Sequence, residues 1–344
     1  MLSKVLKPWK KAGTNRTMTN TQAAFANYTP LVLVHSDEYE NWVFDPTHPT
    51  QGRRFTNGRK AIVEQFGDQL TEIEPRLATY NELALVHSPS YINSVLMDGV
   101  CEQWSGPRME LANLAQQFVG GTLVALNELM SGRTLRAVHL PGAKHHAQYD
   151  RSSGFCVFAD FAIAAHIATS HGLKVAIFDF DAHHGDGTEN LCRENSNILT
   201  YSIHQRGIFP GTGLKNDKKH HVYNKPIAPS GENDDELVLA GLEFSRLAQD
   251  FGADIIFVAA GADGHYTDRL SGLQYSEGGV FKMMGNLSHH FSTTPILIGG
   301  AGGYEPDNST PAMWREAVHG VIESTVHEAC DLRAPHGIPL GGNF

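Results

Sequence analysis

The chain has 344 residues and 37.7 kDa, with 27 Lys and Arg against 37 Asp and Glu, a formal net charge of −10 at pH 7. At 41% hydrophobic and 19% charged residues it can bury a sizeable core, which excludes disordered and fibrous classes. The acidic balance argues against a nucleic-acid partner, no apolar run reaches the ~18 residues of a membrane span, and the four scattered cysteines make neither a disulfide framework nor a thiolate metal knuckle.

From the N-terminus, residues 1–28 read as a basic tail, with Lys4, Lys7, Lys10, Lys11 and Arg16 and no acid before Asp37. The tail lacks the apolar segment of a secretory signal. A solvated tail on a cytoplasmic protein is the plainer reading, and an organellar transit peptide is the alternative. No linker rich in Pro, Gly or Ser divides the rest of the chain, so residues 29–344 are read as one domain. Short apolar, β-branched runs predict strands at 31–34, 137–140, 174–180, 198–203, 254–260 and 295–298. Helical spacing predicts helices over 109–130, 158–170, 234–251, 276–291 and 310–327. Continuous apolar runs alternating with helices predict an α/β fold, a parallel sheet flanked by helices on both faces. Such sheets place their chemistry beyond the carboxyl ends of the strands, and four polar clusters fall there.

The first cluster is His145-His146, after the 137–140 strand, in a turn that Pro141 and Gly142 make irregular. Two imidazoles beside a metal-bound water would serve as base and acid, each oriented by a carboxylate on its other nitrogen, for which Asp179 and Asp186 are at hand. The second cluster is Asp179-Phe180-Asp181-Ala182-His183-His184-Gly185-Asp186-Gly187. If the strand runs on to His183, the period of two sets Asp179, Asp181 and His183 on one face. So many acids at the end of a buried strand need a cation, and mixed carboxylate and imidazole ligands suit zinc. A salt-bridged strand end with capping acids is the other reading. The third cluster, Asp263 after the 254–260 strand, supplies a further ligand beside the second, and read by itself is a cap or turn residue. In the fourth, Tyr304 follows the run from Gly299 to Gly303, which allows a phenol to reach the pocket and donate to an oxyanion; capping the core is its alternative. Phe155 and Phe209 read as core aromatics or as walls of a tunnel, and the residues alone favour core. A nucleophile built from Cys156 with His145 or His146 would leave Asp181, His183 and Asp263 unused. The pairs His220-His221 and His289-His290 read as a polar loop and a helix face.

Together these residues resemble the histone deacetylase family, which has the arginase/deacetylase fold, in a bacterial-type or class II/IV-like form. The resemblance begins at Asn81-Glu82-Leu83-Ala84-Leu85-Val86-His87-Ser88-Pro89-Ser90-Tyr91-Ile92 and runs through His145-His146, Gly154-Phe155-Cys156-Val157-Phe158, the string from Asp179 to Gly187, Phe209-Pro210-Gly211-Thr212-Gly213 and Asp263 to Gly302-Gly303-Tyr304. It implies a zinc-dependent amidohydrolase that removes acetyl groups from acetyl-lysine in proteins or peptides. Asp181, His183 and Asp263 would hold zinc. His145 and His146, backed by Asp179 and Asp186, would move protons, and Tyr304 would polarise the carbonyl. Phe155, Phe209 and Leu270 would line the channel, with the Gly154 carbonyl meeting the amide nitrogen. A potassium ion would sit at Asp179 and Ser202, with backbone carbonyls near Asp181, His183 and Ile203. Ala143-Lys144 before the histidine pair and Arg269 after Asp268 depart from the common pattern and bear on substrate choice. An acetylated polyamine is the alternative substrate, and an acetyl-lysine-binding protein without turnover the remote alternative. A binuclear manganese ureohydrolase lacks support, because no second Asp-x-Asp string is present. The oligomeric state is not legible.

Overall fold

The computed structural model describes residues 31–331, with side chains to 322, so the basic tail and the last residues of the chain lie outside the described residues. In chain order the strands are β1 (Leu31–Val34), β2 (Leu70–Ile73), β3 (Arg136–His139), β4 (Val175–Asp179), β5 (Ile198–Gln205), β6 (Val222–Ile227), β7 (Ile255–Ala259) and β8 (Ile296–Gly299). The helices are α1 (Arg53–Phe66), α2 (Tyr80–Leu83), α3 (Pro89–Leu96), α4 (Met109–Met130), α5 (Asp160–Ser170), α6 (Asp186–Cys192), α7 (Asn233–Phe251), α8 (Glu277–His290) and α9 (Ser309–Asp331). The strands form one parallel sheet in the order β2-β1-β3-β8-β7-β4-β5-β6, as the pattern of apolar runs predicts.

Helices cover both faces: α1, α9, α8 and α7 pack in succession as one layer, and α4, α5 and α6 as another. That double cover is why β4 and β7 are buried at every position and read as unbroken apolar runs. Helix ends follow local chemistry. The Ser276 hydroxyl caps α8 by accepting the Gly279 N–H, and Gly252, at φ +75°, closes α7 in the left-handed conformation. Among the described residues no helix is long and apolar enough to cross a membrane.

Two strands go beyond the sequence expectation. β2 and β6 are the sheet edges, and they are only partly buried. β6 also carries Pro226, which an edge strand tolerates and a central one does not. A third difference lies at the centre of the molecule: β4 stops at Asp179, so Asp181 and His183 belong to the loop beyond it rather than to the strand. The side chains converge through that loop, not through strand alternation.

Candidate active site

The four central strands, β3, β8, β7 and β4, all end at one crevice. The turn after β4 folds back on its own carboxylates: Asp179 Oδ1 accepts the Asp181 N–H at 3.1 Å, and Asp181 Oδ1 accepts the His183 N–H at 2.9 Å. From β7, Asp263 reaches across to accept the Ala182 N–H at 2.9 Å. One ligand atom from each of Asp181, His183 and Asp263 lies within 4.8 Å of the others, and all three residues are buried. His183 Nδ1 is 2.9 Å from Asp263 Oδ2 and 3.1 Å from Asp181 Oδ1. Burial raises the Asp263 carboxyl to about 7, reinforced by the charge of Asp181. The imidazole of His183 is driven the opposite way from burial, up to about 11, by Asp263 and Asp181. Two buried carboxylates facing one imidazole draw positive charge to this spot, which the ring's own proton supplies and which a divalent cation with O, N and O donors would supply in its place.

The histidine pair enters from β3 through a turn in which Ala143 has φ +63°. Asp160, at the start of α5, fixes this turn: its carboxylate accepts the Ala143 and Lys144 N–H groups at 3.0 and 2.7 Å and the Thr122 hydroxyl at 2.6 Å. His145 Nδ1 meets Asp179 Oδ2 at 2.7 Å, and His146 Nδ1 meets Asp186 Oδ1 at 2.7 Å, so each ring has beside it one of the two carboxylates that the sequence puts at hand. The two rings are 4.0 Å apart, and His145 Nε2 lies 3.8 Å from Asp181 Oδ1. Burial lowers the basicity of His145, but Asp179 and Asp181 outweigh it and lift its pKa to about 9. Burial, together with the charge on His145, pushes His146 down to about 3. The pair therefore offers one proton donor and one proton acceptor.

Tyr304 arrives from β8 through the glycine run. Gly302 passes so close to the carboxylates that a Cβ there would lie 2.3 Å from Asp263 Oδ2 and 2.5 Å from Asp181 Oδ2, and its N–H donates to Asp181 Oδ2 at 2.6 Å. Three side chains brace the run. Arg54 of α1 donates to the Gly303 and Ala301 carbonyls at 2.8 and 3.1 Å, and Trp314 of α9 donates to the Ala260 and Gly300 carbonyls. Asp268 accepts the Tyr304 N–H at 2.7 Å with one oxygen and the Leu270 N–H at 2.9 Å with the other. Burial holds the Tyr304 hydroxyl far above its usual pKa, so it stays a donor.

Above these groups opens a cavity of about 380 Å³ lined by His146, Gly154, Phe155, His183, Ile208, Phe209, Leu270 and Tyr304. The structure thus corrects the core reading of the two phenylalanines. Phe209 is 49% exposed and Phe155 only partly buried, and both stand on the cavity wall. Gly154 has φ +51°, and a Cβ on it would lie 2.3 Å from the His146 ring. Arg269 is exposed beside Leu270 and pairs with Glu305 at 3.1 Å. Burial pushes the Cys156 thiol up to about 12, which disfavours the thiolate that a nucleophile needs. With Lys144 and Arg54 it walls a second, smaller chamber behind Tyr304, where burial and Arg54 bring the Lys144 amine down to about 8. Asp179 and Ser202 face each other in register on β4 and β5, and the Ser202 hydroxyl is bonded to His204 Nδ1 at 2.9 Å. His220-His221 and His289-His290 lie away from the site, in a loop turn and at the end of α8.

Sequence reading did not find Arg54, Asp160, Asp268 or Trp314. Each acts mainly on backbone groups of a distant segment, and such a role leaves no spacing pattern.

The family model described as "Histone deacetylase domain" matches residues 48–321. The protein named "Acetoin utilization protein AcuC" of Bacillus subtilis (strain 168) is 32% identical over 311 residues, covering 82% of this chain and 80% of that protein. Its namesake in Staphylococcus aureus (strain MRSA252) is 29% identical over 320 residues, covering 85% and 82%. The crystal structure of the HDA15 HD domain matches 86% of this chain and 90% of that one with a TM-score of 0.77, a likeness of fold at 22% identity.

Proposed function

The chain belongs to the histone deacetylase family, and from that premise we propose that it is a zinc-dependent hydrolase removing acetyl groups from lysine side chains in proteins or peptides. The observation that carries this reading is the convergence of Asp181, His183 and Asp263, two carboxylate-backed histidines and Tyr304 at the floor of one apolar cavity.

Asp181, His183 and Asp263 would hold the zinc, which would supply Lewis acidity toward the carbonyl and toward water. Phe155, Phe209 and Leu270 enclose the methylene stem and exclude solvent. The Gly154 carbonyl is assigned to the substrate amide N–H. The Tyr304 hydroxyl donates to the carbonyl oxygen as negative charge develops on it. One histidine of the pair takes a proton from the attacking water, and the other delivers one to the amine nitrogen as the C–N bond breaks. Asp179 and Asp186 hold the two rings in register for that exchange and favour their charged forms. In the same reading Asp179 and Ser202 would hold potassium.

The wall chemistry favours acyl-lysine over an acetylated polyamine. Among the described residues the cavity lining contains no carboxylate, those of Asp181 and Asp263 lying buried beneath it, whereas a polyamine would carry a further ammonium group along its stem. A cation in an apolar passage without a counter-charge is costly. Initial rates of zinc-loaded protein on an acetyl-lysine peptide and on acetylspermidine test this. A higher kcat/KM on the peptide is expected. Preference for acetylspermidine would overturn the substrate assignment, and hydrolysis of neither would overturn the activity.

A further inference from the structure

The wall of the cavity is strained at one point, and that point is held from outside. Ser153, Gly154, Phe155 and Cys156 make a tight antiparallel turn, with Ser153 N–H donating to the Cys156 carbonyl at 3.0 Å and Cys156 N–H to the Ser153 carbonyl at 2.8 Å. Both central residues have positive φ, +51° at Gly154 and +65° at Phe155. This is a primed hairpin turn, whose second central position glycine commonly takes because a Cβ disfavours the left-handed region. A phenylalanine stands there instead, and its ring lines the cavity.

The Phe155 N–H points out of the turn, and it donates to Gln103 Oε1 at 2.8 Å. Gln103 belongs to the segment between α3 and α4 and is not among the cavity-lining residues. Its Nε2 donates to the Ser152 hydroxyl at 3.2 Å. The adjacent Glu102 carboxylate accepts the Ser152 N–H at 2.9 Å and the Ser152 hydroxyl at 2.5 Å. Two neighbouring side chains thus grip the base of the turn and its strained residue together. The Phe155 ring meets Tyr304 edge-on at 5.7 Å, and His48, which is not part of the cavity lining, packs against it at 4.5 Å.

We propose that Gln103 is a positioning residue for substrate: by accepting the Phe155 N–H it keeps Phe155 in the left-handed conformation that sets its ring against the acyl-lysine stem and Tyr304. This rests on the deacetylase reading. The Gln103 side chain acts through Phe155 and touches no reacting atom, so its loss weakens substrate binding more than chemistry.

Gln103→Leu removes the acceptor, and Gln103→Glu keeps one. For Gln103→Leu, KM on an acetyl-lysine peptide is expected to rise about fivefold to tenfold with kcat within about twofold, the scale of one lost hydrogen bond. Gln103→Glu loses only the Nε2 donor to Ser152, so its KM is expected to rise by less than in Gln103→Leu. Amide hydrogen exchange at Phe155 reads the bond directly and is expected to quicken in Gln103→Leu alone. Unchanged KM and unchanged exchange in Gln103→Leu, or an equal KM rise in both variants, would overturn the proposal. Failure of both Gln103→Leu and Gln103→Met to fold would overturn it too, since the residue would then serve the fold rather than the cavity. Wild-type protein inactive on every acetylated amine would instead refute the deacetylase reading itself.

Discussion

At Tyr304 the position of the hydroxyl is set entirely by contacts to its backbone and its neighbours. Asp268 takes its N–H, Arg54 takes the carbonyl of Gly303 beside it, and Phe155 meets its ring edge-on. Replacing Tyr304 by Phe keeps these contacts and removes one donor. The expected outcome is a fall in kcat of roughly 10²- to 10³-fold, with KM for an acetyl-lysine peptide nearly unchanged. Steady-state kinetics of Tyr304→Phe beside wild type measure this, and retained turnover would remove the phenol from the mechanism. The candidate site residues were legible because charged and imidazole groups at strand ends need a partner to be tolerated in a core. Asp179, Asp181, His183 and Asp186 announce themselves in that way, and Asp263, a cap or turn residue by itself, gains its meaning beside them. Arg54, Asp160 and Asp268 do not, because a buried side chain that satisfies distant backbone groups resembles any ordinary helix or loop residue in sequence.

His87 links elements rather than serving the chemistry directly. Its Nδ1 donates to the Gln148 carbonyl at 2.8 Å, and its Nε2 accepts the N–H of Ala159, the residue just before α5, at 2.9 Å. Gln148 in turn donates to Asp186 and to the His146 carbonyl, so the imidazole ties the start of α5 to the histidine-bearing loop. Both bonds require the neutral ring, and burial lowers its pKa from 6.5 to about 4. A folded-state pKa below the unfolded one means that this contribution is complete above pH 6.5 and is lost as pH falls toward 4. The loss amounts to about 3 kcal/mol. Urea unfolding of wild type and His87→Gln between these pH values is expected to give a shallower pH dependence in the variant, and identical slopes would contradict the assignment. Elements were legible in proportion to burial. β4, β7 and β8, covered on both faces, read as continuous apolar runs, whereas β2 and the proline-bearing β6 lie at the edges, where no such pattern is imposed. The end of β4 was misplaced for a different reason. Phe180, just past the strand, is buried like the residues before it and extends the apolar run, yet the backbone then turns so that Asp179 and Asp181 accept the amides of Asp181 and His183.

For the whole molecule, the strand order explains why segments as far apart as His145 and Tyr304 share one site. β3, β8, β7 and β4 are neighbours at the centre of the sheet, and each delivers one cluster to the same rim. The order of the strands was not legible, since it depends on which apolar faces meet rather than on the content of any one run. The glycine run after β8 completes the arrangement, because only a residue without a Cβ passes Gly302 between the Asp181 and Asp263 carboxylates. The fold therefore places two acids and one imidazole where a single cation resolves their charge. The most direct measurement is elemental analysis of purified protein together with turnover of an acetyl-lysine peptide, before and after chelation and through stepwise return of zinc. Activity that disappears with the metal and returns in proportion to zinc, saturating at one ion per chain and absent in Asp263→Asn, is the predicted result. Full turnover by metal-free, folded protein, or saturation at two ions per chain, would contradict the account.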